Sequence, residues 1–275
     1  MKAQVPAGPS LISSIPNLVE WRDLVELKRW EKVWELSLSA PWLCLSLWFY
    51  HHGWWWAGAL ASFYFFLTGL RQSHNAQHYA LGLSRRLQDA VLFILSIAML
   101  ASMHAVQVTH LHHHRHCLEA EDVEGDNARN TWWRTLLTGP LFPFRLHRAA
   151  WRLAAPNKRR WILAELAAIV VWIIVVVIVL QFPPLHWHVT AMLLGECLTG
   201  FFAVWTVHHD CDPAVDIGRT QRHRWLNALT YHMFLHLEHH LFPAVPTAHL
   251  PQLAERIDLA APEFMTKQVL TLNKR

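Results

Sequence analysis

Long apolar stretches alternate with short polar breaks along most of the chain, at about 34–50, 54–70, 87–108, 161–182 and 189–207. A helix that crosses a bilayer needs about 20 mostly apolar residues, and the last three stretches supply that length outright. The first two are shorter and meet at His51, His52 and Gly53, followed by Trp54, Trp55 and Trp56. Tryptophans clustered at a turn suit the aromatic belt of a membrane boundary, with Gly53 at the tip of a helical hairpin. Pro183, Pro184 and Trp187 punctuate the last two stretches in the same way. Ahead of all of these, residues 17–33 space Trp21, Leu24, Val25 and Trp30 among Glu, Arg and Lys, the pattern of a helix lying in the membrane interface.

Composition supports lipid as the solvent. The 275 residues are 53% apolar and only 16% charged, against about 25% charged in soluble domains. Cys44, Cys117, Cys197 and Cys211 form no C-x-x-C pair, so neither a disulfide framework nor a thiolate zinc site is signalled. Charge then sets orientation. Of the 24 Lys and Arg, five precede residue 34, twelve lie between 71 and 160, and seven follow 207. None lies in the turns at 51–56 and 181–188. Cationic loops stay cytoplasmic, so both turns face outward and the rest faces in. Nucleic acid is not an expected partner of the modest excess of +4.

These patterns predict an all-α integral membrane protein with one domain over 1–275. Four transmembrane helices form two hairpins, at 34–50 with 54–70 and at 161–182 with 189–207. In-plane helices are expected at 17–33 and 87–108, and a His-rich cap with both chain termini lies on the cytoplasmic side, in a bacterial inner membrane. This topology requires 87–108 to be re-entrant or in-plane. The alternative, a further span, would place 115–160 outside.

The 21 histidines carry the chemistry. His74 and His78 stand in HNAQH, His110, His113 and His114 in HLHHH, and His236, His239 and His240 in HLEHH. Positions i, i+3 and i+4 share one helix face, so each group can aim its imidazoles at one point. His112 falls about 200° from His110 on the same wheel and points away. All three groups lie on the side that the charges call cytoplasmic. Eight imidazoles exceed the usual four of a single zinc ion, so two metals are implied. Imidazole suits zinc, copper, iron and nickel alike. Glu196 sits mid-span, where an ionisable group is costly; it could line a tunnel or share a proton with Glu165.

HNAQH, HLHHHRHCLEAEDVEGD and HLEHHLFPAVPTAHLPQL stand in the order, and at the hydrophobic spacing, of the membrane fatty-acid desaturase/hydroxylase superfamily, which the chain resembles over most of its length. Carotenoid ketolases and hydroxylases are similar in the last string. The resemblance implies a non-haem di-iron centre that activates O₂ and attacks an unactivated C–H bond. It also implies one more ligand near the cytoplasmic end of the fourth span, where His208 matches and His209 is its neighbour. The ligand set so implied is His74, His78, His110, His113, His114, His208, His236, His239 and His240. Val204 replaces an Asn that some members carry one turn earlier.

The reaction expected is desaturation of a lipid or acyl chain, with hydroxylation or carotenoid ketone formation as the alternative in the superfamily. A non-catalytic membrane metal carrier or sensor is the alternative of another class. No cytochrome b5 segment, Rossmann fingerprint or ferredoxin cysteine set is present. Electrons must therefore come from a separate donor, such as ferredoxin or another small redox protein with its reductase. The basic run Arg145, Arg148, Arg152, Lys158, Arg159 and Arg160 offers it a face, and equally serves positive-inside anchoring. Outer carboxylates for the imidazoles are sought among Asp89, Glu119, Glu121, Asp122, Glu124, Asp126, Asp210, Asp212 and Asp216. Glu238, about 200° from His236, is not expected to ligate.

Overall fold

The computed structural model describes residues 11–212, 216–262, 264 and 266–271. The extreme termini, expected to be cytoplasmic, lie outside the described residues. Among those described there is no strand, only an isolated parallel bridge between Thr220 and Gln268. The described residues are mostly helical, beginning with α1 (Leu11–Leu18), α2 (Arg29–Ser37), α3 (Ala40–His51) and α4 (Trp55–Gln77).

The single in-plane helix expected over 17–33 does not form. After α1 comes one 3₁₀ turn at Arg22–Leu24, then irregular chain up to Arg29. Several of the apolar residues here meet protein rather than lipid, Val19 and Leu24 packing against Leu235, Phe242, Val245 and Leu253, while Trp30 stays exposed. Arg256 fixes the segment by two 2.7 Å hydrogen bonds to the Asp23 carboxylate and one to the Glu20 carbonyl. Docking onto the C-terminal region sets this backbone, overriding its helical periodicity.

The stretch at 34–50 is likewise divided, at Leu38 and Ser39. Pro41 has no N–H for the Ser37 carbonyl and crowds it, which explains the break. α3 alone, at 12 residues, is about 18 Å long, short of the roughly 30 Å of a hydrocarbon core. Leu38 and Ser39 keep helical backbone angles, so α2 prolongs it. Gly53, at φ +74°, turns the chain into α4. α4 runs past the expected end at 70 to Gln77, because its polar last turns are buried in protein: Arg71, Gln72, Ser73 and Asn75 are all interior.

The stretch expected as one helix over 87–108 is two, α5 (Arg85–Met99) and α6 (Met103–Arg115), bent by 112°. Leu100, at φ +64°, ends α5 in the left-handed region, and Ser102 caps α6 by accepting from the Ala105 N–H. The bend is fully wired. Ser102 donates to Glu165 at 2.5 Å, and its N–H reaches His147. Such a pair is a broken span or a re-entrant one.

Two short helices, α7 (Trp132–Thr138) and α8 (Phe142–Leu153), lead to α9 (Pro156–Ile174) and α10 (Pro183–Thr199). With a π turn at Val175–Leu180 and another at Gly200–Trp205, these become continuous helices of 25 and 26 residues, ending at Leu180 and, through α11 (Thr206–His208), at His208. Both are long and apolar enough to cross a membrane. Leu163, Val170, Val171, Ile178 and Val179 on the first are more than half exposed, a surface suited to lipid rather than water. The tips of the two hairpins sit side by side: the Trp55 and Trp187 rings are 4.9 Å apart, and His51 lies 6.0 Å from Phe182. Beyond α11 come α12 (Arg224–Leu229), α13 (His236–Leu241) and α14 (Leu250–Ala260).

Candidate metal centre

Every histidine expected as a ligand arrives at one place, at the end of α4 remote from the hairpin tips. His74 lies in the last turn of α4 and His78 caps it; His110, His113 and His114 come from α6, His208 from α11, and His236, His239 and His240 from α13. They do not converge on one point per motif. Two groups form. His74, His78, His110, His114 and His239 make the first, with one ligand atom of each within 4.8 Å of the others. In the second, His113, His208 and His240 meet to the same limit, together with Cys117. His236 joins them, its Nε2 being 2.8 Å from that of His208 and 3.0 Å from that of His240. The groups adjoin, for the His114 and His240 rings stack at 4.2 Å.

Helix geometry explains the partition. At about 100° per residue, i and i+4 differ by about 40°, whereas i+3 lies on the other side of i by about 60°. On α6 the pair His110 and His114 therefore faces the first group and His113 the second. On α13 the pair His236 and His240 faces the second and His239 the first. Each group receives a helical pair from one segment and a single imidazole from the other.

His208, not His209, enters the centre. The π turn just before α11 rephases the helix, so that His208 is 1% exposed while His209 stacks flat on Trp205 at 4.0 Å. His112 stays outside, its ring tilted against that of His116 at 4.5 Å.

The electrostatics call for a cation. His113 Nδ1 meets the Asp122 carboxylate at 2.7 Å, and His208 Nδ1 meets the Ile217 carbonyl at 2.8 Å. Both oxygens accept, so each ring carries its hydrogen on Nδ1 and its Nε2 is a bare lone pair. These two lone pairs face each other at 3.1 Å in a buried site. Neutral rings repel in that arrangement; a shared proton or metal ion resolves it. In the first group His110 is anchored likewise, its Nδ1 2.9 Å from Glu124. His74 Nδ1 and His78 Nε2 are buried there with no hydrogen-bond partner.

Separations also fit. Nitrogens about 2.1 Å from one ion are about 3.0 Å apart when cis in an octahedron and about 3.4 Å apart in a tetrahedron. Within the groups the Nε2 pairs are 2.8–3.2 Å apart, closer to the higher coordination number. Burial keeps His236, His239 and His240 well below the ordinary histidine range, so their lone pairs stay available. Burial pushes His113 the same way, but the Asp122 hydrogen bond, helped by Cys117 and Glu124, holds it well above that range, so without a metal ion a proton occupies the space between its Nε2 and that of His208.

Asp122 and Glu124 are the only expected outer carboxylates seen bonded to ligand imidazoles among the described residues. Asp122 also accepts the Leu118 and Gly125 N–H groups at 2.9 Å. A Cβ on Gly125 would lie 2.2 Å from its Oδ2, so only glycine lets the loop close over that carboxylate. Glu238 does not ligate; Thr220 and Arg222 donate to it at 2.7 and 2.6 Å. Glu165 does not share a proton with Glu196. It binds His104 Nδ1 at 2.5 Å, and His104 Nε2 lies 3.0 Å from Asp89. No periodic spacing marks His104 in advance. Part of the basic run is engaged within the chain, with Lys158 3.2 Å from Asp89 and Arg159 donating to the Trp151 carbonyl.

A cleft of about 470 Å³, lined among others by Arg129, Trp132, Trp205 and His209, reaches His208 from the surface. On the other side, α4 is tied to α2 and to the chain before and after α13. The Arg71 guanidinium pairs with Glu35 and donates to the Tyr231 carbonyl, and Asn75 bridges Glu35 to Thr247. Aromatic residues of the apolar helices pack on one another: Trp42 stacks on Tyr64 at 4.7 Å, and Phe63 meets Phe202 at 6.3 Å.

Comparison with known proteins agrees with this geometry. No curated protein matches the chain. The family model described as fatty acid desaturase matches residues 52–269, which include all nine of the histidines. With paired imidazole groups beside long apolar helices, and with that match over most of its length, the chain belongs to the fatty acid desaturase family.

Proposed function

We propose that the protein is an O₂-dependent di-iron membrane oxidoreductase that desaturates a C–C bond of a lipid or fatty acyl chain. The observation that carries this is a pair of adjoining buried histidine groups, within each of which ring nitrogens face one another 2.8–3.2 Å apart. In this reading His74, His78, His110, His114 and His239 hold one iron, and His113, His208, His236 and His240 the other. When bound, the iron pair supplies reductive O₂ activation and abstraction of hydrogen from an unactivated carbon.

The chain's own residues position that chemistry. Asp122, Glu124 and the Ile217 carbonyl fix ring orientation and tautomer, which raises ligand basicity. Neutral nitrogen donors leave positive charge on the ions. The Arg71–Glu35–Asn75 network fixes the end of α4, and with it His74 and His78, against the segments flanking α13. The substrate reaches the centre from lipid, and electrons arrive from a separate redox protein. We infer four spans, with α2–α3, α4, α9 and α10 crossing, the tips at Gly53 and Trp187 outside, and the metal centre on the cytoplasmic side. The adjacency of the two tips supports this, as does the absence of Lys and Arg from them.

The test compares membrane lipids and pigments of cells with and without the protein by mass spectrometry. Desaturation appears as loss of a hydrogen pair. Gain of an oxygen atom would replace it by hydroxylation, and gain of oxygen with loss of a hydrogen pair by ketone formation. A single freely exchanging zinc ion and unchanged lipids would make the protein a metal carrier.

A further inference from the structure

The two histidine groups are unequal. The first has five imidazoles, whereas the second has four. The exchange of helical pairs between α6 and α13 is balanced, so the shortfall arises elsewhere: α4 gives two rings to the first group and α11 gives one to the second. At the deficient group stands a thiol. Cys117 Sγ lies 4.0 Å from His113 Nε2, and it shares the 4.8 Å limit with the ligand nitrogens of His113, His208 and His240. Its hydrogen is directed to the Ile217 carbonyl at 3.6 Å, the same oxygen that anchors His208 Nδ1.

We propose that Cys117 is the fifth donor of the second group, binding its metal ion as a thiolate. This rests on the metal-binding reading above. Sulfur-to-metal bonding replaces the S–H bond; the proton leaves to water, and no oxidant or reductant is needed. The cleft beside Leu118 and His208 gives that proton a way out. A coordinating thiol is deprotonated outright by its metal. The consequence is chemical asymmetry: one ion sees only neutral nitrogens, while the other gains an anionic donor that lowers its charge and its reduction potential.

The full-length protein loaded with cobalt(II) in detergent tests this without turnover. The expected result is two cobalt ions per chain and a thiolate-to-cobalt charge-transfer band in the near ultraviolet, absent from Cys117→Ser. In the same samples, cobalt protects Cys117 from iodoacetamide, read by peptide mass spectrometry, while exposed Cys44 reacts equally with and without metal. Two bound ions with no such band, and with Cys117 alkylated as fast as in the metal-free protein, would overturn the cysteine ligand alone. Failure to bind cobalt at all would overturn both this and the metal-binding reading. Because the band and the protection are read on the unaltered chain, a variant that does not fold leaves the test intact.

Discussion

At the scale of the residue, the centre is a set of imidazoles held by their outer nitrogens. That the histidines would cluster was legible, since i, i+3 and i+4 spacing puts them on one face. Their division into two groups is not evident from the motifs taken singly, although the 100° step contains it: the i+3 ring diverges from the i, i+4 pair. His104 carried no periodic signal, and Cys117, although four residues after His113, lies beyond the end of α6 at Arg115, so only tertiary contact reveals their places. The division leads to a specific expectation. His239→Ala removes a ring from the first group and His113→Ala one from the second, so each should lower bound metal from about two ions toward one per chain, measured by elemental analysis, with loss of oxidation activity. His112→Ala, outside both groups, should keep wild-type metal content. Equal metal loss in all three variants would refute the partition.

At the scale of the element, the hydrophobic pattern located the helices but not their breaks. Hydropathy averages over a window, whereas a break depends on single residues such as Pro41 behind Ser39 or the left-handed Leu100. The segment 17–33 misled for a different reason. Its apolar spacing fits a lipid-facing helix and equally fits the protein groove it occupies, and one periodicity cannot tell the two solvents apart. The Arg71–Glu35 pair was also beyond reach, because it joins residues 36 positions apart. Both partners are buried, at 4% and 0% exposure. Removing one partner of a buried pair leaves an uncompensated charge, which costs about 3–5 kcal/mol. Arg71→Met should therefore lower the melting temperature in detergent and loosen metal at the first group, where α4 contributes His74 and His78. Substituting both Arg71 and Glu35 by apolar residues should recover part of that stability.

At the scale of the molecule, the histidines gather at the end of α4 remote from the hairpin tips, and the absence of Lys and Arg from those tips is what the proposed orientation rests on. A cysteine introduced at Arg134, with Cys44 replaced by Ser, should resist a membrane-impermeant maleimide applied to intact cells and react once they are permeabilised. Labelling from outside would invert the proposed topology. The sequence could not disclose how the two hairpins stand to one another. That depends on ring contacts such as Trp55 with Trp187, for which no periodicity codes.

One detail of the loop after α6 reaches across the whole centre. Asp122 backs His113 in one group, and Glu124, two positions later, backs His110 in the other. A single short stretch thus holds both compartments in register, and neither can relax without dragging its neighbour. Uptake of the two ions should accordingly be cooperative, a sigmoidal titration rather than two independent steps, and Gly125→Ala, by forcing Asp122 aside, should flatten that curve.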